Sequence, residues 1–258
     1  MYDVPSYVIA LILALAMLAS MWLGGAIGRR RHVTANGDSK SQANAVQGSL
    51  LGLLALLLGF TFSLSLGRYD QRSAAVVLEA NAIGTAWLRT DLIGDERREE
   101  ARTLLREYGA IRLESATVAA SNQGERSRLL AEAEAVFGRL WRVAAAEARE
   151  MGNPVAMSFA ASLNDMVDAL ATRDAAIDRH VPELVLILLF GTFILLGGVV
   201  GYSTWISNIR PGVPVYAMMI LIVVLVFLIM DLDRPRRGLI AVDQSKLVAT
   251  VTAMDLDR

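Results

Sequence analysis

The sequence predicts an all-α integral membrane protein with four transmembrane helices and a helical soluble insert between the second and third. Three observations predict it. The chain of 258 residues is 54% hydrophobic, above the roughly 45–50% of soluble domains. The apolar excess is gathered into four runs, each close to the ~20 residues that cross a bilayer. The segments between them read as amphipathic helices or polar turns, with no alternating strand pattern.

The first run, "SYVIALILALAMLASMWLGGAIG", predicts a span at 6–28. It lacks a basic leader and its apolar stretch is too long for a signal peptide, so it reads as a retained span. "RRRHVTANGDSKSQANAVQ" follows as a polar, basic loop at 29–47. The second span, 48–67, runs without proline or turn cluster into "RYDQRSAAVVLEANAIGTAWLR", so one long helix should leave the bilayer and continue. Residues 68–180 form the insert. Within it, "GDERREEARTLLREYGAIRLESATVAA" and "GERSRLLAEAEAVFGRLWRVAAAEARE" are amphipathic. In the latter, Leu129, Ala133, Val136, Phe137, Leu140, Trp141 and Ala144 recur at three- and four-residue steps. "SNQG" and "MGNP" mark the breaks. From Pro154 an alanine-rich helical stretch runs directly into the third span, 181–206. The fourth span, 213–230, pairs with the third across the turn "SNIRPGVP", and 231–258 reads as a C-terminal tail. The insert is thin for its apolar stripes, which favours packing against sister subunits.

Several functions are excluded by residue content. With no cysteine, thiolate catalysis, disulfides and cysteine metal sites are out. The histidines, His32 and His180, sit beside spans and read as interfacial polar residues. A net charge of −1 argues against nucleic acid as a partner. No phosphate-binding glycine loop, HExxH or GxSxG occurs, so no enzyme, catalytic residue, metal site or cofactor is predicted. None of the spans holds an ionisable residue at its centre, which disfavours coupled transport.

The second span carries Ala55, Gly59, Ser63 and Gly67 at strict i, i+4 spacing. Such a stripe lets another helix approach closely in lipid, either within the subunit or at a subunit interface around a pore. The adjacent face carries Leu56 and Phe60, with Ser63 and Gly67 further along. Bulky apolar residues one turn apart, repeated around an oligomer, form a dewetting constriction; in a simple bundle they pack or face lipid. Beyond the span lie Arg68, Asp70, Arg72, Glu79, Asn81 and Arg89, and the fourth span ends in "DLDRPRRG" with Asp231, Asp233 and Arg234. These charges either pair structurally or line a vestibule for ions.

The positive-inside rule gives two opposed signals. Arg29, Arg30, Arg31 and Lys40 in the first loop, against only Asp3 in the N-terminal tail, favour an extracytoplasmic insert. Arg68, Arg72, Arg234, Arg236 and Arg237 favour the opposite side. The balance tips toward an extracytoplasmic insert in a multi-pass protein of the cell (inner) membrane.

The elements "SLLGLLALLLGF", "GRYDQR", "EANAIGTAWLR" and "DLDRPRRGLI" together resemble the bestrophin-like domain family of bacteria and plants, itself distantly similar to the bestrophin anion channels. The likeness to bestrophins proper rests on "SLLG", on Gly59–Phe60 and on Tyr69, Asp70 and Arg72. It implies a homopentamer in which the second spans line a central pore and continue as long helices into the soluble region. It also implies a neck with a bulky apolar residue at each turn, which falls here on Gly52, Leu56 and Phe60. Gly52 departs from that pattern, and so does "SAAVVLEANAIG", where bestrophins are aromatic-rich. The bestrophin insert is cytoplasmic, opposite to the side the first-loop arginines favour. No compact acidic loop suited to calcium is present.

The expected function is therefore a passive, homo-oligomeric ion channel in the lipid bilayer, with small inorganic anions narrowly preferred over cations. Acidic rings from Asp70, Glu79, Asp231 and Asp233 would favour cations instead. The alternative is a non-conducting scaffold or sensor whose insert binds a partner.

Overall fold

The computed structural model describes residues 5–32, 37–119, 122–152, 154–234 and 240–257, apart from the side chains of His32, Met151 and Val155. Asp3, Arg236, Arg237 and Gly238, and the His32 side chain, lie outside the described residues. The described elements are all helical. They are α1 (Ser6–His32), α2 (Gly37–Arg89), a short 3₁₀ turn (Thr90–Leu92), α3 (Asp95–Thr117), α4 (Gln123–Met151), α5 (Pro154–Asp178), α6 (Glu183–Ile206), α7 (Val213–Asp233) and α8 (Ser245–Leu256). Four of the described helical stretches are long and apolar enough to cross a membrane. The chain divides into two compact units: Met1–Gly67 with His180–Arg234, and Arg68–Arg179 with Pro235–Arg258.

Helix α2 is continuous over 53 residues, as the lack of a breaker predicts. Two boundaries differ from the sequence reading. The polar stretch read as a loop already supplies the start of α2 from Gly37. The alanine-rich helix does not run straight into the third span. It stops at Asp178, and α6 starts at Glu183 after Pro182. Residues 179–182 between them are not helical, and Pro182, which disfavours a helical residue before it and has no N–H to give, keeps the helix from running through.

The first unit is held by backbone proximity between α1 and α6. A Cβ on Gly197 would lie 2.6 Å from the Met17 carbonyl oxygen, and one on Gly201 would overlap the Met21 carbonyl. Helices in lipid gain little from apolar burial, so small residues that admit close van der Waals contact carry the association. Around this seam Leu13, Met17, Leu189, Phe193 and Leu196 are buried together with Val226 and Met230 of α7. Arg29 lies over the Trp205 ring at 3.8 Å. The α6–α7 turn is closed by Asn208 at φ 57, a conformation that asparagine accepts more readily than most residues. The far end of α7 is tied to the entry of α6: the Val181 N–H donates to Asp233 Oδ1 at 2.9 Å, and His180 Nδ1 lies 3.1 Å from the Asp233 carbonyl oxygen.

The second unit has its own core, built from Ile83, Ala86, Leu105, Tyr108, Leu140, Phe159, Leu163 and Met166. The tail expected at 231–258 contributes to it. Helix α8 buries Leu247, Val251 and Met254, and Val251 and Met254 lie against Gly109 of α3. Arg106 donates to the carbonyls of Met254 and Asp257 at the end of α8, and Trp87 Nε1 donates to Asp257 Oδ2 at 3.0 Å. Closed by α8, the insert hides more of its apolar surface than a bare hairpin would. Leu88, Met157 and Trp141 stay exposed at 68%, 58% and 40%.

Glu147 fastens α4 to the start of α3. It accepts from the Gly94 N–H at 2.9 Å and from Arg97 at 2.6 Å. Burial would raise its pKa, but the Gly94 and Arg97 hydrogen bonds outweigh that and hold it below the ordinary glutamate range. A depressed carboxylate pKa stabilises the fold above the unfolded-state pKa, and that stabilisation is lost as pH falls through the folded-state value. Acid melts of the wild type should therefore show a loss below the ordinary glutamate range that is shallower in Glu147→Gln. Parallel acid limbs in the two proteins would count against this role.

Candidate functional site

Within the span, α2 turns one side to the rest of its own chain and leaves the other open. Leu54, Thr61 and Ser65 are buried, at steps of seven and four that keep them on one helical face. Thr61 Oγ1 donates to the Leu57 carbonyl at 2.7 Å, so this hydroxyl is satisfied by its own helix. The opposite side carries the residues singled out from sequence. Leu56 and Phe60 are 55% and 62% exposed, and Gly52, Ala55, Gly59 and Ser63 are exposed as well, with Gly67 intermediate. A Cβ placed on Gly52, Gly59 or Gly67 would meet no atom within 4 Å. Among the described residues the small-residue stripe of α2 is thus unused, whereas Gly24, Gly25 and Gly28 of α1 and Gly197, Gly198 and Gly201 of α6 are consumed in packing. Only 17% of the apolar window of α2 is buried within the chain, against 39% for α1.

The charged candidates divide by environment. In the second unit Arg68 is half-buried and donates to Gln71 Oε1 at 3.1 Å, and Asp70 is exposed. Arg72 is buried: its Nε donates to the Ala176 carbonyl at 3.1 Å and its Nη2 to the Arg179 carbonyl at 2.8 Å. It closes the C-terminus of α5, where unpaired carbonyls carry partial negative charge. Glu79 is fully buried between Arg112 and Arg173. Arg89 donates to the Ser158 carbonyl at 2.7 Å, and Asn81 is exposed. In the first unit Asp231, Asp233 and Arg234 are all buried.

Along α2 in the second unit, an open groove of about 600 Å³ runs beside α5, lined by Gln71, Ala74, Ala75, Leu78, Thr172 and Ala175 among others. A second hollow of about 310 Å³ shares Leu78 and Thr172 and reaches Asn81, Thr85 and Asp165. Sequence reasoning singled out Asn81 but not this groove. Its signal was the run of alanines on both helices. Among the described residues no cluster of histidine or carboxylate groups is arranged to hold a metal ion.

The family model described as the Bestrophin-like domain matches residues 7–247. Among solved structures, a single-substitution variant of a bacterial bestrophin homologue from Klebsiella pneumoniae aligns with a TM-score of 0.64 at 14% identity, covering 94% of this chain and 96% of that one. Another variant from the same organism gives 0.63 at 15% identity, covering 96% of each chain. No curated protein matches.

Proposed function

This chain belongs to the Bestrophin-like domain family, and from that premise we propose that it assembles with copies of itself, five by the family resemblance, into a passive ion channel whose pore is lined by α2. The observation that supports this most is the uncovered face of α2. Phe60 is 62% exposed, and a Cβ added at any of three glycines on this apolar helix would meet nothing within 4 Å, so that face has no partner among the described residues of its own chain. In an oligomer, Ala55 and Gly59 would meet a neighbouring subunit, and Leu56 and Phe60 would ring the pore. The wider turn at Gly52 would then sit at one end of a constriction set by the other two. The alanine-lined groove along α5 offers a second place for a neighbouring subunit to rest.

Anions are the favoured cargo. Of the four carboxylates that would make acidic rings, Glu79, Asp231 and Asp233 are buried in their own subunit and only Asp70 is open. The vestibule reading then falls on Arg68 and Asp70. We place the insert on the extracytoplasmic side, on the strength of Arg29, Arg30, Arg31 and Lys40.

The test is flux from liposomes holding the purified oligomer, with chloride and potassium gradients applied separately. Phe60→Ala should raise the flux several-fold by widening and wetting the constriction. Gly59→Leu should instead break the oligomer. Unchanged flux in an intact Phe60→Ala oligomer would remove this residue from the pore. Absence of flux in both proteins would shift weight to a non-conducting scaffold, for which the exposed Leu88 and Met157 of the insert are the first docking candidates.

A further inference from the structure

The second unit contains a buried charge cluster in which, among the described residues, two guanidiniums are paired with one carboxylate. Glu79 on α2 is fully buried and accepts from two guanidiniums, Arg112 Nε on α3 at 2.5 Å and Arg173 Nη1 on α5. Arg173 Nη2 also donates to Gln244 Oε1 at 2.9 Å, just before α8. Arg112 and Arg173 are 4% and 2% exposed. Two guanidiniums therefore share one carboxylate, and one positive charge is left over in the interior. Uncompensated charge away from water is costly, and a neutral amide such as Gln244 does not cancel it.

A second observation lies beside the first. Tyr108 is one helical turn before Arg112 on α3, so the two share a face. Its ring is fully buried in the core, yet its hydroxyl is buried without a hydrogen-bond partner. Glu79, Arg112 and Arg173 all act electrostatically on this hydroxyl, and burial keeps it protonated. A hydroxyl held in its protonated form by burial thus lies within electrostatic range of Glu79 first and of both guanidiniums after it, and among the described residues it has no acceptor. Native interiors rarely leave such a group orphaned.

We propose that a small monovalent anion of halide type binds here, accepting the Tyr108 O–H and guanidinium N–H groups of Arg112 and Arg173. A water molecule would satisfy the hydroxyl but leave the charge, whereas an anion answers both. The site is within one subunit's insert and does not depend on whether the protein conducts. Its occupancy would link the stability of the insert to the ion that the channel is proposed to carry.

Crystals of the wild-type protein grown in bromide test this directly. An anomalous peak within hydrogen-bond reach of Tyr108 Oη and a guanidinium is expected. A position without anomalous signal, or a Tyr108 hydroxyl bonded to Glu79 with no ion, overturns the proposal. In solution, exchanging gluconate for bromide at constant ionic strength should raise the melting temperature of detergent-solubilised wild type by about 2–4 °C. Tyr108→Phe should lose that increment. If the hydroxyl is an orphan instead, the same variant should melt no lower than wild type and keep whatever increment exists, and that result also overturns the site.

Discussion

Glu79→Ala is expected to cost about 3–5 kcal/mol of stability, because it strands two buried guanidiniums that the carboxylate now holds. The effect should appear as a fall in the thermal and denaturant midpoints of the solubilised protein. The comparison is Asp70→Ala, nine residues earlier on the same helix. Asp70 is exposed, and its removal should change stability by no more than about 0.5 kcal/mol. Equal, small losses in both variants would mean that Glu79 does not organise the second unit.

The second large effect is expected in the membrane. Gly201→Ala places a methyl group into the Met21 carbonyl of α1, with the Gly25 nitrogen of the same helix 3.0 Å away. Backbone cannot rotate aside as a side chain can, so the helices must separate. A loss at or beyond the upper end of the ~1–3 kcal/mol typical of overpacking should follow. Gly191 provides the control on the same helix, since a Cβ there would meet nothing within 4 Å. Gly191→Ala should be neutral or stabilising by about 0.5–1 kcal/mol, through the backbone entropy that glycine forfeits. If Gly201→Ala melts like Gly191→Ala, the α1–α6 seam is not as close as described.

The spans and the long α2 were legible because each is a local property. An apolar run of sufficient length reports a span, and the absence of proline or glycine-rich punctuation between Gly67 and Arg89 reports continuity. The break before α6 was also written locally, in Pro182, but the helical period of the alanine-rich stretch masked it. The charged candidates were only half legible. Their positions could be read, but not their partners. Arg72 reaches carbonyls at 176 and 179, and Glu79 meets Arg112 and Arg173, pairings that only the tertiary fold creates. Helix α8 escaped notice for a similar reason. Leu247, Val251 and Met254 carry a helical spacing, but over 12 residues the pattern is short. What makes it a core element is the complementary hollow at Gly109.

The place of α8 in the chain has a consequence for biosynthesis. The second unit is begun by residues translated before the last two spans and finished by residues translated after them. Ribosomes add about 5–20 residues per second, so the surface of α3 that α8 covers waits on the order of ten seconds for its partner. During that interval α6 and α7 must enter the bilayer while the insert displays an apolar face to solvent. The soluble part of this protein is thus completed only after its membrane part has been threaded, and anything that delays the last hairpin prolongs exposure of a surface prone to aggregate.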